Sequence, residues 1–171
     1  MIREGPRSLQ DGELTLREVR REDAAGLYAW RMHPDSRLMF HSTELIPYEK
    51  HLRFVAGYFE AGNSDVWFVV EAGGRPVGSI VLYDVAADGG AAEWGRFVIA
   101  PGERGRGYGR RALTLLLDYA RQREIVQLRC DVLASNVSAR QLYRNLGFVE
   151  TGCEVHGGRE FVTMRLGPPD R

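Results

Sequence analysis

Apolar and polar residues alternate through "ELTLREV" near the start of the chain, which is the two-residue period of a half-buried strand. "REDAAGLYAWR" then reads as a helix whose acidic first turn suits the positive end of the helix dipole. "PYEKHLRFVAGYFEAG" reads as a second helix, with Pro47 near its start and Gly62 just past its end. Its spacing puts Leu52, Val55, Ala56 and Phe59 on one apolar face. "DVWFVVEAGGRPVGSIVLYDV" is two β-rich runs joined at Gly73 and Gly74, a hairpin signal. "AAEWGRFVIAP" is a third strand stopped by Pro101, and Gly95 inside it marks a bulge or a close backbone approach. "YGRRALTLLLDYARQR" keeps Tyr108, Ala112, Leu115, Leu116 and Tyr119 at helical spacing. After it come a strand, "IVQLRCDVLA", a capped helix, "SNVSARQLYRNLG", and two closing strands, "FVETGCEV" and "REFVTMRL". Mostly antiparallel strands interrupted by two crossover helices predict a mixed α/β layer rather than an all-parallel sheet. The first dozen residues read as a polar lead-in and "GPPDR" as a loose tail.

Composition narrows the class. The 171 residues suit a single domain, and 44% hydrophobic residues are enough to fill one core. Lys+Arg and Asp+Glu are 23 each, so the net charge is zero, which argues against a general nucleic-acid surface. Cys130 and Cys153 form neither a disulfide framework nor a CxxC pair, and both are expected to fill core. The opening residues lack the apolar run of a signal peptide, and no segment has membrane-spanning length, so a cytoplasmic protein without a membrane partner is expected. His33, His41, His51 and His156 lack metal-ligand spacing, so no metal is expected.

Against this neutral background "GERGRGYGRR" concentrates four arginines and four glycines in ten positions, between a strand end and a helix start. Unpaired helix amides gather there and the dipole favours an anion. Gly105, Gly107 and Gly109 let several amides point inward, and Arg104 and Arg106 add charge. The dinucleotide pattern fails at Arg110 and the Walker pattern fails at Tyr108. Alone, the loop reads equally as a phosphate cradle or as a tight turn with solvated arginines.

"RGRGYG" resembles the Q/R-x-x-G-x-G/A signature of the GNAT N-acetyltransferases, with Arg104, Gly107 and Gly109 at its defined positions. About 35 residues later "NVSARQLYRNLGF" is similar to that family's N-x-x-A-x-x-L-Y-x-x-x-G-F segment. The resemblance covers roughly residues 14–166. It implies a central twisted sheet of about seven strands flanked by about four helices. It also implies acetyl-CoA as donor. The pyrophosphate would sit on Arg104, Gly105, Arg106, Gly107, Tyr108, Gly109 and Arg110, and the pantetheine would run along the backbone of Val98, Ile99 and Ala100.

Acetyl transfer needs a base for the amine, a donor for the carbonyl oxygen and an acid for the leaving thiolate. By resemblance, the oxyanion donor lies near Phe97 or Val98, beside the expected bulge. Glu93 matches the glutamate of histone-type members and is the expected base; a solvated strand-end charge, with a water chain as base, is the other reading. Tyr143 is the expected acid, since a phenol stays protonated at neutral pH and can donate to a thiolate. Asn136 begins its helix as an N-cap, and by resemblance also touches the coenzyme.

The acceptor is expected on residues 28–59. "YAWRMHPDSRLMF", "IPYEKHLRFV" and "VLYDV" resemble the branch that acetylates 4-amino sugars on nucleotides, as in the pseudaminic acid pathway. The same layout resembles ribosomal-protein N-terminal and polyamine acetyltransferases. A nucleotide sugar wants cations and aromatic surfaces, which Trp30, Arg31, Arg37, Phe40 and His51 can supply. A polyamine wants an acidic pocket, which the first two helices do not offer. A non-catalytic acyl-CoA sensor is a further alternative, against which Glu93 and Tyr143 speak. Either a monomer or a homodimer is compatible with the sequence.

Overall fold

The computed structural model describes residues 8–167. Eight strands form one sheet in the order β1-β2-β3-β4-β5-β6-β8-β7. They are β1 (Ser8–Asp11), β2 (Leu14–Glu18), β3 (Val66–Ala72), β4 (Arg75–Tyr83), β5 (Ala91–Ile99), β6 (Gln127–Leu133), β7 (Val149–His156) and β8 (Arg159–Leu166). Every neighbouring pair is antiparallel except β5 and β6. The helices are α1 (Ala24–Met32), α2 (Pro34–Arg37), α3 (Tyr48–Tyr58), α4 (Tyr108–Gln122) and α5 (Val137–Asn145). Among the described residues no helix is long and apolar enough to cross a membrane.

Strand alternation separates two cores. Val66, Phe68 and Val70 of β3 join a large cluster with α4 and Tyr143 of α5, whereas Trp67 and Val69 join a smaller cluster with α1 and α3. The five apolar positions expected on α4 are all buried. Gly73 and Gly74 turn the β3–β4 hairpin with φ of 56° and 77°, a backbone that L side chains resist.

Four expectations need correction. Part of the polar lead-in is an edge strand: β1 pairs with β2, and Arg111 ties Asp11 of that strand to α4 at 2.7 Å. The rest of that lead-in, and residues 168–171 of the tail, lie outside the described residues. The buried face of α3 is His51, Val55 and Tyr58, and Leu52 is 40% exposed. The helix is rotated because Tyr58 turns inward, donating to Glu18 and accepting from the Trp67 amide. Cys153 is exposed on the edge strand β7, while Cys130 is buried. Finally, α2 and the irregular residues 38–47 occupy a stretch that sequence periodicity leaves without structure.

Candidate active site

β5 and β6 pair only at Ala91–Glu93 against Gln127–Arg129. Beyond that point the two parallel strands separate, and a cavity of about 610 Å³ occupies the space they leave. The β5 register against β4 slips by one residue, since Ser79 faces Val98 while Val81 faces Gly95. This is the bulge foreseen at Gly95, and its extra residue bends the strand and interrupts the ladder. The positive φ, however, belongs to Arg96 at 45°. Gly95 is needed for a different reason: a Cβ there would stand 2.9 Å from the Tyr83 hydroxyl.

Phe97 and Val98 line the cavity beside the bulge. The pairing expected of residues 98–100 is partly taken inside the protein. The Ala100 amide donates to Val77 at 2.8 Å, and the Ile99 carbonyl accepts from Arg104 at 3.2 Å.

The glycine loop has the geometry of an anion cradle. Gly107 is the N-cap of α4, at φ 78° and with no side-chain cap, and Gly105 has φ 77°. The first intrahelical bond of α4 runs from the Arg111 amide to Gly107, so the preceding amides of the first turn have no partner within the helix. Space around Gly105 and Gly107 is open, whereas a Cβ at Gly109 would meet Phe97, Ile99 and Leu142 at 3.7–4.0 Å, so this end of the helix lies close to the strand. These features fit a pyrophosphate. Two arginines differ from the expectation that they simply add charge. Arg104 is engaged by Ser36 and Ile99, and Arg106 faces Glu103 at 3.5 Å. Arg110 is exposed at the start of α4, and Tyr108 is core.

Glu93 lines the cavity from β5, where Arg129 contacts its carboxylate at 3.3 Å. Burial pushes its carboxyl above the ordinary value, against the pull of Arg129 and with a further push from Asp84, Asp131 and Glu154. Tyr143 lines the same cavity from α5 and is only 8% exposed. Its ring stands edge-on to Trp94 at 4.9 Å. Burial, and then the Cys130 thiol, hold the phenol well above its usual range, so it stays protonated. Asn136 both caps α5, accepting from the Ala139 amide at 3.2 Å, and lines the cavity.

Of the five acceptor residues foreseen, Arg31, Phe40 and His51 line the cavity, Trp30 instead packs against the smaller core, and Arg37 is engaged by the Thr43 carbonyl. His51 is 8% exposed and its Nε2 lies 2.8 Å from the Ala24 carbonyl, so it ties α3 to α1. Burial lowers its pKa, with that hydrogen bond opposing. Residues 38–47 cover this end of the cavity and are held by side chains rather than by a ladder. Arg31 donates to the Ser42 carbonyl, Arg37 to Thr43, Tyr28 to Ile46, and Arg159 to Leu38, Phe40 and His41.

Several lining residues escaped sequence reasoning. Asp131, Tyr83, Trp67 and Phe161 face the cavity from four different strands. Alternation shows that such residues face opposite their buried neighbours but not that their faces converge. Tyr83 is pushed up to about 12 by burial and then by Glu93, so its hydroxyl is a lasting donor.

A family model described as the acetyltransferase (GNAT) family matches residues 19–148. No curated protein matches the sequence. Among solved structures, the chain is similar to a spermidine N-acetyltransferase from Vibrio cholerae in complex with CoA and spermine. The identity is 22%, with 91% of this chain and 96% of that one covered and a TM-score of 0.82. It is also similar to RimL, a ribosomal L7/L12 α-N-protein acetyltransferase seen with a coenzyme A–cysteine disulfide, at 16% identity, 91% and 94% coverage and a TM-score of 0.77. A third likeness is to the aminoglycoside acetyltransferase AAC(6')-Ib in complex with coenzyme A, at 19% identity, 90% and 94% coverage and a TM-score of 0.76.

Proposed function

The chain belongs to the acetyltransferase (GNAT) family, and from that membership we propose that it acetylates the primary amine of a nucleotide-linked amino sugar. It is an acetyl-CoA-dependent N-acetyltransferase. In this reading the amine attacks the thioester directly in a ternary complex. Glu93 takes the proton, a donor at the β5 bulge holds the developing oxyanion, and Tyr143 protonates the departing thiolate.

The mixed charge of the cavity wall supports this acceptor. Glu93 and Asp131 offer carboxylates to an ammonium, while Arg31, Lys50 and Arg96 line other parts of the same wall. An acceptor carrying an amine and a phosphate matches both signs. A polyamine matches only the carboxylates and is repelled by the rest. Arg31 keeps a buried Nη1 with no protein partner, beside a second guanidinium, Arg37, whose charge, after burial, depresses its pKa. An anionic group would satisfy both. Aromatic faces at Phe40, Phe54 and Trp67 suit a sugar or a base.

The carboxylates of the wall come from strands and not from the first two helices, so they also suit the polyamine and aminoglycoside acceptors of the structural neighbours. Release of free thiol from acetyl-CoA, measured over nucleotide amino sugars, polyamines, aminoglycosides and N-terminal peptides, separates these readings. The nucleotide amino sugar should give the highest kcat/KM. Faster turnover of spermidine would overturn the assignment.

A further inference from the structure

We propose that His41, Asp131 and His156 form a binding site for one divalent transition ion, zinc by the chemistry of the donors, at the mouth of the cavity. One ligand atom from each lies within 4.8 Å of the others. The three come from separate parts of the fold: the irregular segment 38–47, the middle of β6 and the last residue of β7. No sequence spacing announces the site, because its members are joined only by the sheet.

The surroundings organise the donors. Asp131 divides its oxygens: Oδ1 accepts from the Thr163 hydroxyl at 2.8 Å, and Oδ2 lies 3.9 Å from His41 Nε2. The two imidazoles stack at 4.3 Å, and the edge-on Phe161 ring touches both. Glu154 stands 3.2 Å from His156 Nε2, where a carboxylate can orient the ring. Two guanidiniums oppose an ion here: Arg129, which is shared among Glu93, Asp131 and Glu154 at 3.3, 3.7 and 3.9 Å, and Arg159, which donates to the His41 carbonyl at 3.1 Å.

Two imidazoles and a carboxylate suit zinc and its neighbours, whereas magnesium and calcium prefer oxygen alone. Bonds of about 2.0–2.1 Å around a tetrahedral ion put ligand atoms roughly 3.4 Å apart. The present span must therefore shorten by about an ångström and a half. Closing that span also means unstacking the two imidazoles, which lie 21° from parallel, so that their nitrogens converge; His41 lies outside regular structure, and His156 immediately precedes the Gly157–Gly158 turn. A fourth position is left for water. His41 and Asp131 also line the cavity, so the ion would stand at its mouth and pin segment 38–47 to the sheet.

The binding claim rests on the donors alone; its effect on turnover rests on reading this cavity as the acceptor site. Titration calorimetry of the full chain with ZnCl2, without coenzyme because its thiol binds zinc, tests the first. The visible spectrum of the Co2+ form tests the geometry. One ion per chain is expected, with a tetrahedral cobalt spectrum. His41→Ala and His156→Gln should each weaken binding by at least ~10-fold, since loss of an outer partner alone costs 10–100-fold. Cys153→Ser should leave it unchanged. No binding, binding unaltered in both histidine variants, or binding lost in Cys153→Ser would overturn the site. With zinc in large excess over the thiol released during the initial-rate phase, the acceptor KM should also rise in the wild type and not in His156→Gln. One-to-one binding with an unchanged acceptor KM would sustain the metal site and overturn the acceptor reading of the cavity.

Discussion

Arg104 of the glycine loop donates through Nη2 to the hydroxyl of Ser36, 2.8 Å away and 68 residues distant in the chain. Ser36 is only 2% exposed and lies in α2, which leads directly into the segment covering the cavity. The same guanidinium holds the Ile99 carbonyl at the end of β5. One side chain therefore joins the expected coenzyme loop, the expected coenzyme strand and the expected acceptor wall. Ser36→Ala should leave acetyl-CoA affinity within about two-fold and raise the acceptor KM by ~10-fold, because a charge-assisted hydrogen bond is worth about 1.5–3 kcal/mol. Arg104→Lys should behave alike, and the double variant should be no worse than either single one. If Ser36→Ala matches the wild type while Arg104→Lys weakens acetyl-CoA binding, Arg104 serves phosphate instead.

Tyr143→Phe separates chemistry from packing. Among the described residues the Tyr143 hydroxyl takes no hydrogen bond, while its ring packs on Trp94 at 4.9 Å and on Phe148. The variant should therefore keep the wild-type Tm and acetyl-CoA affinity. Loss of the proposed proton donor should lower kcat by ~10²–10⁴. The deficit should shrink with a thioester whose thiol is more acidic, because that leaving group needs less help. Unchanged kcat where chemistry is rate-limiting would reduce Tyr143 to a core residue.

The proposed base, Glu93, implies a pH dependence. A base acts when deprotonated, so activity should fall as pH drops through the Glu93 pKa, which burial raises above the ordinary 4.5. The Arg129 charge opposes that rise. Arg129→Gln should therefore move the acid limb of kcat/KM to higher pH, and Glu93→Gln should abolish the limb along with most of the rate. A limb that persists in Glu93→Gln assigns the base to a water chain.

Stability has its own acid limb. Arg17 and Asp23 are 11% and 9% exposed at their side chains and share two hydrogen bonds of 2.8 Å, while Arg17 Nε reaches Glu71 at 2.6 Å. Burial alone would raise the Asp23 pKa, but the bonds from Arg17 and from the Arg20 amide outweigh it and hold it below the ordinary 3.8. A folded pKa below the unfolded one contributes stability above about pH 4, and that contribution fades as pH falls through the folded value. Asp23→Asn should cost about 3 kcal/mol in urea unfolding at pH 7, the lower end for a broken buried pair because Glu71 remains. The difference from wild type should narrow as the pH is lowered below 4.

Sequence alone determined the features written in local pattern. Strand alternation, the spacing of Tyr108 to Tyr119 and the Gly73–Gly74 hairpin depend on neighbours a few residues apart, and all three appear in the fold. The glycine loop and the "NVSARQLYRNLGF" helix were legible for the same reason, since an anion cradle and a capped helix are each built from contiguous backbone. Tertiary structure decided whatever depends on convergence. The buried face of α3 was settled by Tyr58 bonding to Glu18, 40 residues away, and not by hydrophobicity along the helix. Arg104 was turned from the loop to Ser36, and Asp131, His41 and His156 were gathered from three elements. Residues 38–47 have no period to read, because side chains from α1, α2 and β8 hold their carbonyls. A contact between distant segments leaves no mark on the local spacing of either one, so only the folded chain reveals which polar groups meet.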